Sequence, residues 1–207
     1  MITVHHLENS RSQRVLWLLE ELGLPYQVIR YQRDKQTMLA PDALKLIHPL
    51  GKSPLIEDDG VVFAETGAIV EHLVGKGDGR LGVPQEPEAA NLYRFWLHYA
   101  EGSLMPVLFT KLVLRRVPVL GKIAARRFQP MIDVHLDYVE SALRQSPWFA
   151  GMDMSAADIM MSFPLEAARS RAGLDHSRPA TIAWLAKVHE RPAYRRALQQ
   201  GGPYAYA

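Results

Sequence analysis

The chain has 207 residues, enough for one large domain or two small ones, and 48% of them are hydrophobic, which supports a true core. A net charge of +2 gives no bulk electrostatic case for nucleic acid, and no apolar run approaches the ~18 residues of a membrane-spanning helix. Cysteine is absent, which excludes disulfides, thiolate metal sites and any protein-based thiol redox cycle. If thiol chemistry takes place here, the sulfur belongs to a ligand. The opening MITVHHLENS lacks a basic segment followed by an apolar one, so no secretory signal is expected and a cytoplasmic protein is the default.

Ile2 to Leu7 is a short β-rich run. His5 and His6 are neighbours on it, so they face opposite sides and cannot chelate one metal. A polar break, Glu8-Asn9-Ser10-Arg11, then leads to Val15, Leu16, Leu18, Leu19 and Leu22, whose spacing predicts an amphipathic helix ending at Gly23. Ser10 and Gln13 have capping-box spacing, so the first reading of Ser10 is a helix cap. Its hydroxyl then sits at the positive end of a helix, where an anion is favoured. Residues 25–32 (PYQVIRYQ) read as a second strand, 33–40 as a loop and 42–47 as a short helical patch.

The next stretch carries the densest pattern. Gly51-Lys52-Ser53-Pro54 is a turn, Leu55-Ile56 an apolar run, and Asp58-Asp59-Gly60 a hairpin signal before Val61-Val62-Phe63-Ala64. A proline just before a strand cannot donate to the ladder and suits a rigid turn, compatible with a cis Ser53–Pro54 bond. Glu65 and Thr66 then fall where Ala68, Ile69, His72 and Leu73 begin to recur at helical spacing. The free backbone N–H groups of a helix start favour an anion there.

Gly51-Lys52-Ser53-Pro54 followed by Glu65-Thr66-Gly67-Ala68-Ile69 resembles the glutathione-binding half of the cytosolic glutathione transferases, and length and element order agree over nearly the whole chain. The resemblance implies an α/β thioredoxin-like domain at 1–78 followed by an all-α domain at 87–207 that supplies a pocket for an electrophile. It implies glutathione as co-substrate and no metal. Glu65 would meet the γ-glutamyl ammonium, Thr66 its carboxylate, Ser53 ahead of Pro54 the cysteinyl backbone, and Lys52 the glycyl carboxylate. Ser10 would donate a hydrogen bond to the thiolate, with Asn9 and Ser12 as its rivals for that contact. No tyrosine precedes Tyr26, which argues against the tyrosine-using branch, and the missing cysteine excludes the cysteine-using ones.

Glycines and prolines between 75 and 87 mark the domain boundary, and the pattern beyond is helical almost to the end. Leu92, Phe95, Trp96 and Tyr99 form an apolar face expected in the core. Residues around Phe95, Tyr99 and Met105 are candidates for the electrophile pocket. Residues 111–130 contain six basic residues and no acid, with Pro118 and Gly121 splitting them into two helix tips. They read as a solvated face or as a positive rim for an anionic ligand. Ser155 and Asp158 have capping-box spacing ahead of Met160 and Met161, which read as core filler. The expectation is a serine-type glutathione transferase, homodimeric and cytoplasmic, acting in detoxification on small hydrophobic electrophiles or as a glutathione peroxidase. It has no nucleic-acid or membrane partner. The alternative is a non-catalytic module that binds glutathione or a protein on the same fold.

Overall fold

Strand β1 (Ile2–Leu7) runs parallel to β2 (Tyr26–Tyr31), paired from Ile2↔Tyr26 to Leu7↔Tyr31, with helix α1 (Ser12–Leu22) as the crossover. After a short 3-10 helix, Asp42–Leu46, strands β3 (Leu55–Asp58) and β4 (Val61–Ala64) form a hairpin, and the sheet order is β2-β1-β3-β4. β3 is antiparallel to both β1 and β4. Asp59 and Gly60 take φ values of 48° and 81°. Two consecutive positive φ values give a turn whose twist matches that of the strands, which is why an Asp-Gly pair stands there. Helix α2 (Thr66–Lys76) follows β4 directly. The structure, a computed structural model, describes residues 1–206.

Helix α1 departs from the amphipathic expectation. Every residue from Ser12 to Leu19 is buried, as is Leu22. The extra cover comes from the last helix, α8 (Pro192–Gly201), so the first compact unit comprises Met1–Gly82 together with His189–Ala205. Trp17 meets Tyr194 edge to face at 5.5 Å. Glu21 accepts Trp17 Nε1–H at 2.8 Å and a two-pronged contact from Arg191 at 2.5 and 2.9 Å. Arg196 donates to Glu20 at 2.6 Å. A β-carbon at Gly201 would lie 2.4 Å from Gln13 Oε1 and 3.2 Å from the His6 ring, so glycine is what lets the end of α8 close on this spot.

The second unit, centred on Val83–Val188, is helical. It holds α3 (Pro87–Tyr99), a turn of π-helix at Ala100–Leu104, α4 (Met105–Arg116), α5 (Gly121–Gln145), α6 (Ala156–Arg171) and α7 (Pro179–Glu190). Pro118 and Gly121 part α4 from α5 as the spacing predicted. α6 is buried continuously from Ala156 to Ala168, Met160 and Met161 included, which makes it the axis of this unit. On α3, Tyr93, Trp96 and Leu97 turn inward, whereas Leu92 and Phe95 are 37% and 43% exposed. The expected core face is therefore corrected for those two. Phe95 instead stacks on Tyr99 and meets Tyr138 edge to face. The capping box at α6 forms: Ser155 N–H donates to Asp158 Oδ2 at 2.9 Å, and Phe149 N–H donates to Asp158 Oδ1 at 3.0 Å. Burial pushes the Asp158 carboxyl up to about 6, against these bonds.

Asp158→Ala leaves two buried N–H donors without acceptors. Urea denaturation is expected to show a loss of roughly 2–6 kcal/mol, at about 1–3 kcal/mol per unsatisfied group.

Candidate functional site

Strand register gathers the sequence-singled residues at one end of the sheet. β1 runs toward that end and leaves it through Asn9 and Ser10. β3 enters there, with Leu55 opposite His5, so Ser53 and Pro54 lie beside the exit of β1. β4 returns there, with Ala64 opposite Leu55, so Glu65 and Thr66 lie next along. The Ser53–Pro54 bond is cis. The Ser53 hydroxyl donates to the His5 carbonyl at 3.1 Å and accepts the Leu7 N–H at 3.4 Å, tying the proline loop to the last residues of β1. The β1–β3 ladder ends at His5↔Leu55, so the Ser53 backbone lies beyond it. Lys52 is exposed.

Glu65 stands ahead of α2 with φ 69° and an exposed side chain that makes no capping bond. A non-glycine residue held at positive φ stores backbone strain, and such residues cluster at functional sites. Thr66 is 4% exposed at the first turn, whose N–H groups have no helical acceptor. Helix α2 is anchored from behind: Asp58 accepts His72 Nε2–H at 2.8 Å and Lys76 at 2.7 Å. Burial opposes ionisation of Asp58, but those two bonds outweigh it and hold its carboxyl below the usual range.

Asn9, Ser10 and Ser12 occupy three different settings. Asn9 has φ 50°, and its Oδ1 accepts the Ala205 N–H at 2.7 Å. Ser12 is fully buried, with its Oγ 2.9 Å from His6 Nδ1, 3.3 Å from the Leu7 carbonyl and 2.8 Å from Ser10 Oγ. Ser10 keeps 5% of its surface and accepts the Ser12 N–H at 3.2 Å. The capping box expected between Ser10 and Gln13 does not form. The residue ahead of α1 is Arg11, in helical geometry without a side-chain cap, and both amide atoms of Gln13 are buried without a hydrogen-bond partner. The reason is register: with Arg11 ahead of the helix, Gln13 is its second residue rather than its third, and its amide lies against Gly201 instead.

The structure adds a residue that sequence reading left aside. His5 and His6 do face opposite sides: His5 bonds Tyr31 at 2.9 Å and Glu57 at 2.8 Å, while His6 reaches Ser12. The only signal for His6 in the sequence was a polar residue on the face that an apolar helix covers. In the second unit, Lys111, Arg115, Lys122 and Arg126 line an open cleft of about 690 Å³ with Ala125 and Gln129. Lys111 donates there to the Gln129 side chain and, at 3.3 Å, to the Ala172 carbonyl. Burial, and then the neighbouring Arg115, hold its ammonium below the usual lysine range. Of the three residues named for an electrophile pocket, Met105 is buried, Phe95 is on the surface, and the Tyr99 hydroxyl is bonded to His135 at 2.5 Å.

Residues 1–75 match the family model for the glutathione S-transferase N-terminal domain. Glutathione S-transferase 3 of Schizosaccharomyces pombe is 39% identical over 97% of this chain and 88% of its own. This chain belongs to the glutathione S-transferase family. The crystal structure of a glutathione S-transferase from Actinobacillus pleuropneumoniae superposes with a TM-score of 0.88 at 32% identity, covering 97% of this chain and 93% of that one. A family member from Pseudomonas fluorescens, crystallised with two glutathione bound, superposes with a TM-score of 0.80 at 25% identity, covering 95% and 92%. The two-domain architecture of the family, thioredoxin-like then helical, is that of this chain.

Burial first, and then the Arg30 charge, push the His6 imidazole down to about 4. It is therefore neutral at ordinary pH. The unfolded chain takes up this proton near pH 6.5 and the native state only near 4, so stability contributed by neutral His6 is lost as pH falls through that window. Asp158 acts in the opposite sense, because its folded value is raised. Subtracting a His6→Asn variant from the native protein isolates the histidine. Urea titrations from pH 7 to 4 are expected to show the native protein losing about 3 kcal/mol more than the variant.

Proposed function

We propose that this protein is an enzyme that ionises the thiol of glutathione and directs the thiolate at small hydrophobic electrophiles. The observation that carries the reading is the convergence, at one end of the sheet, of the Ser10 hydroxyl, the Ser53 backbone beyond its ladder and the open first turn of α2. Each matches one part of the tripeptide. Glu65 takes the γ-glutamyl ammonium, and the Thr66 hydroxyl and the N–H groups of its turn take the α-carboxylate. The Ser53 backbone pairs with the cysteinyl unit as one strand edge pairs with another. Lys52 approaches the glycyl carboxylate. Ser10 donates to the sulfur.

A free thiol has a pKa of about 8.5, so only a few per cent is ionised at neutral pH. A hydrogen bond from Ser10 together with the positive end of α1 favours the anion. The sulfur lone pair then forms the new bond to an electrophilic carbon as the leaving group departs with its electron pair. With a hydroperoxide, the sulfur takes the terminal oxygen as the O–O bond breaks and the alkoxide leaves with a proton as the alcohol. A second glutathione thiol then attacks that sulfur, and the oxygen departs as water to leave glutathione disulfide. The same reading includes a cytoplasmic homodimer acting in detoxification. Exposed Leu92, Phe95, Met131, Val134 and Tyr138 on α3 and α5 support an apolar contact between copies.

Calorimetric titration with glutathione at pH 6.5, in buffers of different ionisation enthalpy, is the direct test. Binding with proton release is expected. Binding without release would leave a non-catalytic binding module, and no binding would leave only the fold. Ser10→Ala is expected to lower kcat by about 10–100-fold, up to the ~2.7 kcal/mol that two pKa units represent, with KM for glutathione nearly unchanged. Equal turnover in the two proteins would remove the role given to Ser10. Glu65→Ala is expected to weaken glutathione binding by about 10–100-fold, the worth of a charged hydrogen bond at ~1.5–3 kcal/mol, as read by the same calorimetry. An unchanged affinity would refute the γ-glutamyl assignment.

A further inference from the structure

His6, Ser12 and Ser10 form one buried line of hydrogen-bonding groups, 2.9 Å from Nδ1 to Ser12 Oγ and 2.8 Å from there to Ser10 Oγ. A serine oxygen has one hydrogen to give and two lone pairs to offer. One lone pair of Ser10 Oγ takes the Ser12 backbone N–H at 3.2 Å. What occupies the other decides where the Ser10 hydrogen points.

We infer that His6 is a positioning residue for the thiolate: with its hydrogen on Nδ1 it donates to Ser12, Ser12 donates to Ser10, and Ser10 is left to donate outward to the sulfur of bound glutathione. This rests on the role given to Ser10 above. In the opposite tautomer Nδ1 carries a lone pair. If Ser12 then turned its hydrogen toward Ser10, two lone pairs would face each other across 2.9 Å in a buried site. Ser12 would instead donate to Nδ1, Ser10 would donate to Ser12, and no hydrogen would remain for the sulfur. The Leu7 carbonyl competes for the Ser12 hydrogen only at 3.3 Å, against 2.8 Å to Ser10.

Three features hold the ring to this task. It is 2% exposed, so little of its surface is open to solvent. A β-carbon at Gly201 would stand 3.2 Å from Cε1 and Nε2, so the end of α8 backs the far edge of the imidazole. The ring is neutral at ordinary pH, which leaves a single N–H whose position sets the direction of the whole line.

The first test uses the full-length protein labelled with ¹⁵N-histidine and saturated with glutathione. The His6 resonances are identified by their loss in His6→Asn. A protonated Nδ1 beside a bare Nε2 is expected, and a bare Nδ1 would overturn the proposal without any variant having to fold. The second test reads the pKa of the bound thiol, by thiolate absorbance and by the pH profile of kcat/KM. Asn places an amide N–H where Nδ1 stands, so His6→Asn should keep the native value. His6→Phe should raise it by about one unit and lower kcat/KM about tenfold on the acid limb, the worth of one hydrogen bond, with KM for glutathione unchanged. The same thiol pKa in native protein, His6→Asn and His6→Phe would sink the relay. If Ser10→Ala shifts that pKa and His6→Phe does not, the relay alone falls. If Ser10→Ala does not shift it either, the role of Ser10 falls with it.

Discussion

The candidate site depends on the Ser53 hydroxyl, which clamps the proline loop to the end of β1 by bonding the His5 carbonyl and the Leu7 N–H. β3 enters the sheet through that loop, and the hairpin register carries the same position on to Glu65 at the start of α2. The exit of β1 leads in two or three residues to Asn9 and Ser10. One small side chain thus sets the relative positions of three segments that are far apart in sequence. A backbone-to-side-chain bond in a partly buried place does this with little freedom left over, since a serine has a single χ angle to lose.

The first unit places polar groups under cover more than its size requires. His6, Ser10, Ser12, Gln13 and Arg14 are all at most 5% exposed around the start of α1, and the Gln13 amide atoms have no partner. A buried polar group left without a hydrogen bond costs about 1–3 kcal/mol, so a fold selected for stability alone would put apolar side chains here. Asn9 and Glu65, on either side of the same end of the sheet, hold positive φ at further cost. Local rules are broken together in one place, and breaches of this kind concentrate where a protein acts on a ligand.

Much of this was legible in the sequence because the signals were local. The Asp59-Gly60 turn, the glycine closing α1, the proline before β3 and the helix begun at Thr66 are each written in a few adjacent residues, and the structure has them there. The capping box at Ser155 and Asp158 also formed. Failures came where a distant segment intervened. α1 looked amphipathic because its own residues cannot reveal that α8, some 180 positions later, covers the second face. Gln13 fitted a capping box on spacing, but α1 starts a residue later than that box needs, and the Gln13 amide lies against Gly201. Phe95 had the hydrophobicity of a core residue but lies on the side of α3 that its own unit leaves open. His6 could not be singled out, because an inward-facing histidine on a strand carries no local mark of what it bonds.

A neutral line of donors also fits the chemistry better than a fixed cation beside the sulfur would. Thiolate fraction rises as the thiol pKa falls, but intrinsic nucleophilicity falls with it, with a Brønsted slope of about 0.4–0.5, so the optimum lies near ambient pH. Moving the thiol from about 8.5 to 6.5 raises the ionised fraction at pH 7 roughly 25-fold while weakening each thiolate roughly 6–10-fold. A further drop gains almost no thiolate and continues to weaken it. A buried imidazolium at the position of His6 would push in that direction and would have to be kept charged against its own burial, which instead holds it neutral down to about pH 4. On the proposed reading, the burial that strips His6 of its charge and the geometry that keeps its hydrogen aimed along Ser12 and Ser10 serve one end: a sulfur that is mostly ionised at neutral pH and still reactive.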